Sequence, residues 1–145
     1  MTVRVEVLSE VTDEVVEAFG RLLPQLSGSA EPLDAQALRA LVSSSAVTVL
    51  LARCSGVIAG TLTLAMFPIP TGLRAWIEDV VVDDAARGQG AGGALTRAAL
   101  AKAADAGAKT VELTSRASRV AANQLYQRLG FVARETNVYR YQLPA

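Results

Sequence analysis

The stretch VVVDDAARGQGAGGALTRAAL, residues 80–100, decides the fold. Valines give way to two aspartates, an arginine and a cluster of glycines, and then to alanine-rich sequence with helical spacing. Two phosphate-binding patterns overlap in it. Gly88-x-Gly90-x-x-Gly93 fits the dinucleotide fingerprint, and Arg87-x-x-Gly90-x-Gly92 fits a different one. In the dinucleotide fold a buried strand runs almost directly into its first glycine, near the start of the domain. Here residues 83–87 separate Val82 from Gly88, and the loop lies past mid-chain. Too little chain follows for a doubly wound sheet. Glu112 stands about where a ribose-binding acid would be, but in mid-strand. A P-loop fails outright, because no Gly-Lys-Ser/Thr follows.

The second pattern spreads its glycines across a helix start. A helix N-terminus presents backbone N–H groups that lack intrahelical partners, and its dipole favours an anion. Gly88, Gly90, Gly92 and Gly93 let a bulky diphosphate reach the main chain of residues 88–93, Gln89 and Ala91 included. Arg87 adds a fixed positive charge. A plain strand-to-helix turn needs fewer glycines than this.

Outward from the loop, the pattern predicts a strand over 3–8, an amphipathic helix over 12–24 ending at Pro24, and a polar break at 27–32. A second helix is predicted over 33–44, begun around Pro32 and Asp34. Strands at 47–53 and 57–67 flank a tight turn at Ser55-Gly56. Residues 68–72 read as a loop, since two prolines cannot sit in a central ladder. A central strand follows at 75–82, then a helix from Gly92 to Ala106 stopped by Gly107. Strand 109–115, helix 118–130 and short strands at 131–134 and 137–143 complete the chain. The order β-α-α-β-β-β-α-β-α-β-β predicts a mixed α/β (α+β) sheet in a single domain over residues 1–145.

Composition narrows the chemistry. The chain has 145 residues and no histidine, which removes Ser-His-Asp and Cys-His catalysis and most zinc sites. No metal is expected, and acid–base work falls to carboxylates, tyrosine, lysine, the chain terminus or water. Cys54 is the single cysteine and reads as a buried small hydrophobe in a reduced, cytoplasmic setting. The charged opening segment argues against a signal peptide, and no apolar run approaches membrane-spanning length. Residues 1–86 hold eleven acidic and five basic side chains; residues 87–145 hold three and nine. The second half thus suits an anion and the first a cation, although solvated faces alone produce such a split equally well. A neutral chain with 5% aromatics and no basic run is a poor nucleic-acid binder.

Arg87-Gly88-Gln89-Gly90-Ala91-Gly92, followed downstream by Ala122-x-x-x-Tyr126 and Gly130-Phe131, resembles the signature of the GNAT superfamily of acyl-CoA-dependent N-acetyltransferases. The element order agrees over essentially the whole chain. The resemblance implies a central mixed, splayed β-sheet flanked by helices, with strands 75–82 and 109–115 opening as a V. It implies that acetyl-CoA is the cosubstrate, that unpaired groups of Val80, Val81 and Val82 bond its pantetheine arm, and that the amides of residues 88–93 take its diphosphate. It further implies a strand carboxylate as base, for which Glu78 is favoured over Asp79, and Tyr126 as acid. The Val80 N–H is the candidate for polarising the thioester carbonyl. Strand alternation predicts Glu78 and Asp79 on opposite faces. As alternatives, Glu78 or Asp79 serves as a structural ion pair or cap, and Tyr126 packs its ring on the sheet.

One position departs from the family. Relatives commonly carry asparagine seven residues before the tyrosine, where this chain has Arg119; Asn123 lies on a different helical face. Arg116 and Arg119 are alternatives for the coenzyme phosphates or an anionic substrate group. Acceptor specificity in the family comes from segments matching residues 12–44, 67–74 and 134–142. Asn137, Tyr139 and Arg140 are candidates to line the acceptor pocket, with the two tyrosines padding the sheet as the plainer reading. A small cationic amine is the expected acceptor, the alternatives being a protein or peptide amine, or coenzyme binding without turnover. Homodimers are frequent in the family, and nothing in these residues fixes an interface.

Overall fold

The computed structural model describes residues 2–145. Its contacts divide the chain into two compact units, one ending at Thr114 and one beginning at Ser115, and each is described by itself.

The first unit is built on four antiparallel strands in the order β1 (Val3–Val7), β2 (Val47–Cys54), β3 (Val57–Ile69) and β4 (Gly72–Val82). Ser55 and Gly56 turn β2 into β3 with φ of 51° and 85°, the left-handed pair that a two-residue hairpin requires. Alternation along β2 separates two cores. Val49 and Leu51 face helices α1 (Asp13–Leu26) and α2 (Ala35–Ser43), where Val15, Ala18, Phe19, Leu22 and Leu38 complete an apolar cluster. Leu50 and Ala52 alternate to the opposite face, in register with Leu62 and Gly60. That face is covered by α3 (Ala91–Asp105), whose buried residues are mostly small. At Gly60 an added Cβ would stand 3.1 Å from the Val81 carbonyl and 3.3 Å from Leu95 Cδ1. Glycine there lets α3 settle close to the sheet.

Caps fix both leading helices. Thr12 Oγ1 accepts from the Val15 N–H at 3.3 Å, and an Asp34 carboxylate oxygen accepts from the Ala37 N–H at 2.8 Å. The first helix continues past Pro24 to Leu26, two residues beyond the expected exit. Pro24 lies in the last turn, where one missing N–H costs a single bond, and Ser27 N–H still closes on the Leu23 carbonyl. Cys54 is free and buried, as expected.

Three expectations are corrected. Residues 68–72 are not a loop: β3 runs to Ile69, with Pro68 paired to Leu73. The Met66 N–H points to the β2 side, where it meets the Ala46 carbonyl, and the Pro68 nitrogen faces that same side beyond the end of β2. No ladder bond is lost there. Next, the expected strand at 109–115 reduces to one parallel bridge between Trp76 and Glu112. The four-stranded sheet itself is antiparallel, and the bridge adds a single parallel contact beside β4. Finally, residues 131–134 and 137–143 form no strands. Alternation in the sequence does not by itself supply a ladder partner.

The second unit holds α4 (Val120–Arg128), followed by a segment without regular secondary structure that exposes Val132, Val138, Tyr139, Tyr141 and Leu143. Among the described residues, no helix is long and apolar enough to cross a membrane.

Candidate active site

β4 carries an irregularity that its sequence does not announce. Thr63 pairs with Glu78, but Thr61 pairs with Val81, so one extra residue is accommodated between them. Asp79 takes up the excess with φ of 49°. This is a β-bulge, and it reverses the direction of every group beyond it. Before the bulge, the Ile77 N–H points away from β3, to the Glu112 carbonyl at 2.9 Å, and the Ala75 carbonyl accepts from the Glu112 N–H at 3.1 Å. After it, the Asp83 N–H points toward β3 and meets the Ala59 carbonyl at 2.7 Å. Counting back by twos, Val81 faces β3 while Val80 and Val82 turn to the open edge. No backbone bond joins 78–82 to 113–114. The two chains meet at one bridge and separate.

The bulge begins directly after Glu78, at Asp79. Simple alternation does not run through Asp79, and both Glu78 and Asp79 are exposed. Glu78 shares a sheet face with Thr63 and, past the bulge, with Val81, whose side chain joins the α1–α2 cluster.

Beyond Val82 the chain makes a 3-10 turn at Asp84–Ala86 and enters the glycine loop. Gly88 and Gly90 have φ of 82° and 88°, the left-handed conformation that glycine adopts freely. Gly90 is the N-cap of α3, and no side chain caps that end. The first helical bond is Ala94 N–H to the Gly90 carbonyl at 3.0 Å. The N–H groups of residues 88–93 therefore have no hydrogen-bond acceptor among the described residues. Six amides without acceptors at one helix end form an anion cradle. Arg87 lies beside it in an exposed pair with Asp84 at 2.9 Å, a contact weak enough in water to yield to a phosphate. Gln89 is half-buried, and its Oε1 finds no donor. This cradle suits a diphosphate, and the open edge of β4 leading into it suits an extended amide-bearing arm.

In the second unit, Tyr126 lies on α4, buried, with its ring edge-on to Phe131 at a centroid distance of 5.7 Å. Burial raises its phenol above the ordinary tyrosine value, and the positive charge of Arg119 only partly opposes this. Arg119 is the N-cap residue of α4. Asn123 spends its amide hydrogens on the carbonyls of Arg116 and Arg119, at 2.9 and 2.8 Å, and so staples the start of the helix. Asn137 and Tyr139 come together through a long hydrogen bond of 3.4 Å on an exposed segment.

The family model described as the Acetyltransferase (GNAT) family matches residues 11–131. The chain belongs to the GNAT acetyltransferase family. It is therefore an acetyl-CoA-dependent acyltransferase. Among solved structures it is similar to an acetyltransferase of Trypanosoma brucei, at 28% identity and a TM-score of 0.78, covering 98% of this chain and 100% of that one. An aminoglycoside acetyltransferase from an uncultured soil metagenomic sample, in complex with sisomicin, shares the fold. It does so at 21% identity and a TM-score of 0.85, over 99% of this chain and 97% of that one. A ribosomal-protein-alanine N-acetyltransferase from Brucella melitensis biovar Abortus shares it at 21% identity and a TM-score of 0.79, over 99% of this chain and 100% of that one. The search of curated proteins finds no match.

The sequence shows the glycine cluster at the start of α3 and Tyr126 on α4 but does not show the bulge. Nor does it single out Arg21, Gln25 and Asp83, which converge on the turn before the cradle. The only local signal for the bulge was Asp79 in mid-strand, a residue type that tolerates left-handed φ.

Proposed function

We propose that this GNAT acetyltransferase, acting as one domain over both units, moves an acetyl group from acetyl-CoA to the primary amine of a small cationic metabolite or antibiotic-like molecule. The transfer is direct, within a ternary complex. The observation that carries the coenzyme half of this reading is the run of amides at residues 88–93 without acceptors, entered from an open strand edge. Acetyl-CoA supplies a thioester carbonyl that is electrophilic toward amines.

The chain's own groups do the rest. The amides of residues 88–93 and the Arg87 guanidinium hold the diphosphate, and Arg119 and the remaining Asn123 carboxamide oxygen contribute at the start of α4. Val80 and Val82 present N–H and carbonyl groups along the open edge, and Val80 N–H polarises the carbonyl as negative charge grows on its oxygen. Glu78, exposed on β4, takes the proton from the acceptor ammonium directly or through water. Asp79 stands beside it as a second negative charge for a cation. Tyr126 keeps its proton at neutral pH and delivers it to the departing sulfur. Asn137 and Tyr139 contact the acceptor. The acidic excess of residues 1–86 supports a cationic substrate.

The aminoglycoside and ribosomal-protein enzymes that share the fold frame the test. A thiol-release assay with acetyl-CoA is run against a panel of polyamines, amino sugars and amino-acid-like amines, and against a peptide panel. Turnover of cationic small amines supports the proposal. Turnover of peptides alone makes the chain a protein N-acetyltransferase. Silence on both panels with coenzyme binding intact makes it a non-catalytic acyl-CoA-binding module. Activity restricted to neutral or acidic amines removes the charge argument.

A further inference from the structure

Glycine-rich loops are floppy unless something outside them sets their course. The cradle at 88–93 is anchored downstream by α3 and upstream by the junction at Asp83, five residues before Gly88. That junction is unusually well tied. Asp83 N–H closes the last rung of the sheet on Ala59 at 2.7 Å, and its carboxylate accepts from the Ala85 N–H at 3.1 Å. The same carboxylate receives Arg21 Nη1 and, at 3.3 Å, Gln25 Nε2. Gln25 Oε1 in turn accepts the Asp84 N–H at 2.8 Å. Arg21 Nη2 reaches the Ile58 carbonyl at 3.1 Å. Two side chains one turn apart on α1 thus grip both the end of β3–β4 and the first amide of the 3-10 turn.

The grip is sheltered. The Asp83 side chain is 14% exposed and that of Arg21 is 31% exposed. Charge-assisted bonds in such a setting hold geometry far better than solvent-exposed pairs do. Among the described residues, the only other partner of the Arg21 side chain is Glu17, whose side chain is 66% exposed. α1 is held on the sheet independently by its buried Val15, Ala18, Phe19 and Leu22.

We propose that Arg21, Gln25 and Asp83 are positioning residues for the coenzyme: through the turn at 83–86 they aim the amides of residues 88–93. The proposal rests on the reading of that loop as the diphosphate site. It also makes α1, within the segment expected to shape the acceptor pocket, a mechanical neighbour of the coenzyme loop.

Gln25→Ala, Arg21→Ala, Arg21→Lys and Asp83→Asn are each compared with wild type for calorimetric Kd of coenzyme A, acetyl-CoA KM, kcat and melting temperature. Glu17→Gln serves as the control. The expected result is a rise in Kd and KM of about tenfold for Gln25→Ala, Arg21→Ala and Asp83→Asn, with kcat at saturation within about twofold. Arg21→Lys, which keeps the charge, recovers part of the loss, and Glu17→Gln binds like wild type. A drop in melting temperature and kcat with unchanged Kd would make the network a structural clamp only and overturn the proposal. Variants that bind and turn over like wild type overturn it as well, while the coenzyme site stands. Wild-type protein that takes up no coenzyme A removes the site and this proposal together.

Discussion

The Ile77 N–H donates to the Glu112 carbonyl at 2.9 Å, and this is the last backbone bond between β4 and the parallel chain beside it. Two residues later Asp79 adopts φ of 49°, and the edge that follows is left without a neighbour in the first unit. One bond and one bulge therefore separate the part of β4 bonded on both sides from the part bonded to β3 alone.

Substitution at Asp79 tests the bulge. A β-branched side chain is poorly tolerated at positive φ, so Asp79→Val should lose about 1–2 kcal/mol of stability. Asp79→Gly should cost little, because glycine accepts the angle and the residue is exposed. Urea unfolding of the two variants checks this. Equal midpoints for valine and glycine would contradict the left-handed conformation.

Gly90→Ala separates backbone strain from ligand exclusion. The residue has φ of 88°, and an added Cβ meets no atom within 4 Å. The free protein should therefore lose only the conformational cost, about 1–2 kcal/mol. Coenzyme A binding should weaken further, by about tenfold, because the new methyl group stands where a phosphate approaches main-chain amides. Chemical denaturation and calorimetry, run on the same preparation, distinguish the two effects.

Asp83 gives the stability a pH signature. The Ala85 N–H bond, together with Arg21 and Gln25, holds its carboxyl below the ordinary value of about 3.9, against the opposing pull of burial. A carboxylate whose pKa is depressed on folding stabilises the native state above its unfolded pKa. That contribution shrinks as the pH falls below about 4 and is gone once the folded-state pKa has been passed. Asp83→Asn should lower the urea midpoint at pH 7 and flatten the acid side of the midpoint–pH curve relative to wild type. Parallel curves would show that the carboxylate does not feel its neighbours.

Much of this was legible beforehand because it depends on local chemistry. Glycines at 88, 90, 92 and 93 beside Arg87 can be read from the chain, as can the Ser55-Gly56 hairpin and the caps at Thr12 and Asp34. What resisted reading depends on register and on partners distant in sequence. Pro68 is admissible in β3 only because β2 has already ended beside it, which no window around Pro68 reveals. The bulge exists because Thr61 pairs with Val81 instead of Val80, a relation across twenty residues. Arg21 and Asp83 are 62 positions apart, and neither belongs to a motif. Alternation at 137–143 suggested a strand that does not form, because a pattern cannot provide a ladder partner.

Tyr126 is the last group to be tested, and pH separates its two roles. Burial keeps its hydroxyl protonated above the ordinary tyrosine value of about 10, so an acid role predicts no loss of kcat from its ionisation at any pH below that. Tyr126→Phe keeps the edge-on contact with Phe131 and should leave melting temperature and coenzyme Kd near wild type. With the proton donor gone, kcat should fall by about a hundredfold, the low end of what general acid catalysis contributes. A leaving thiolate has a lower proton affinity than an alkoxide, so the loss should be smallest at low pH, where solvent protonates sulfur more readily. If the phenylalanine variant turns over at the wild-type rate across that range, Tyr126 is a packing residue and the proton reaches sulfur from water.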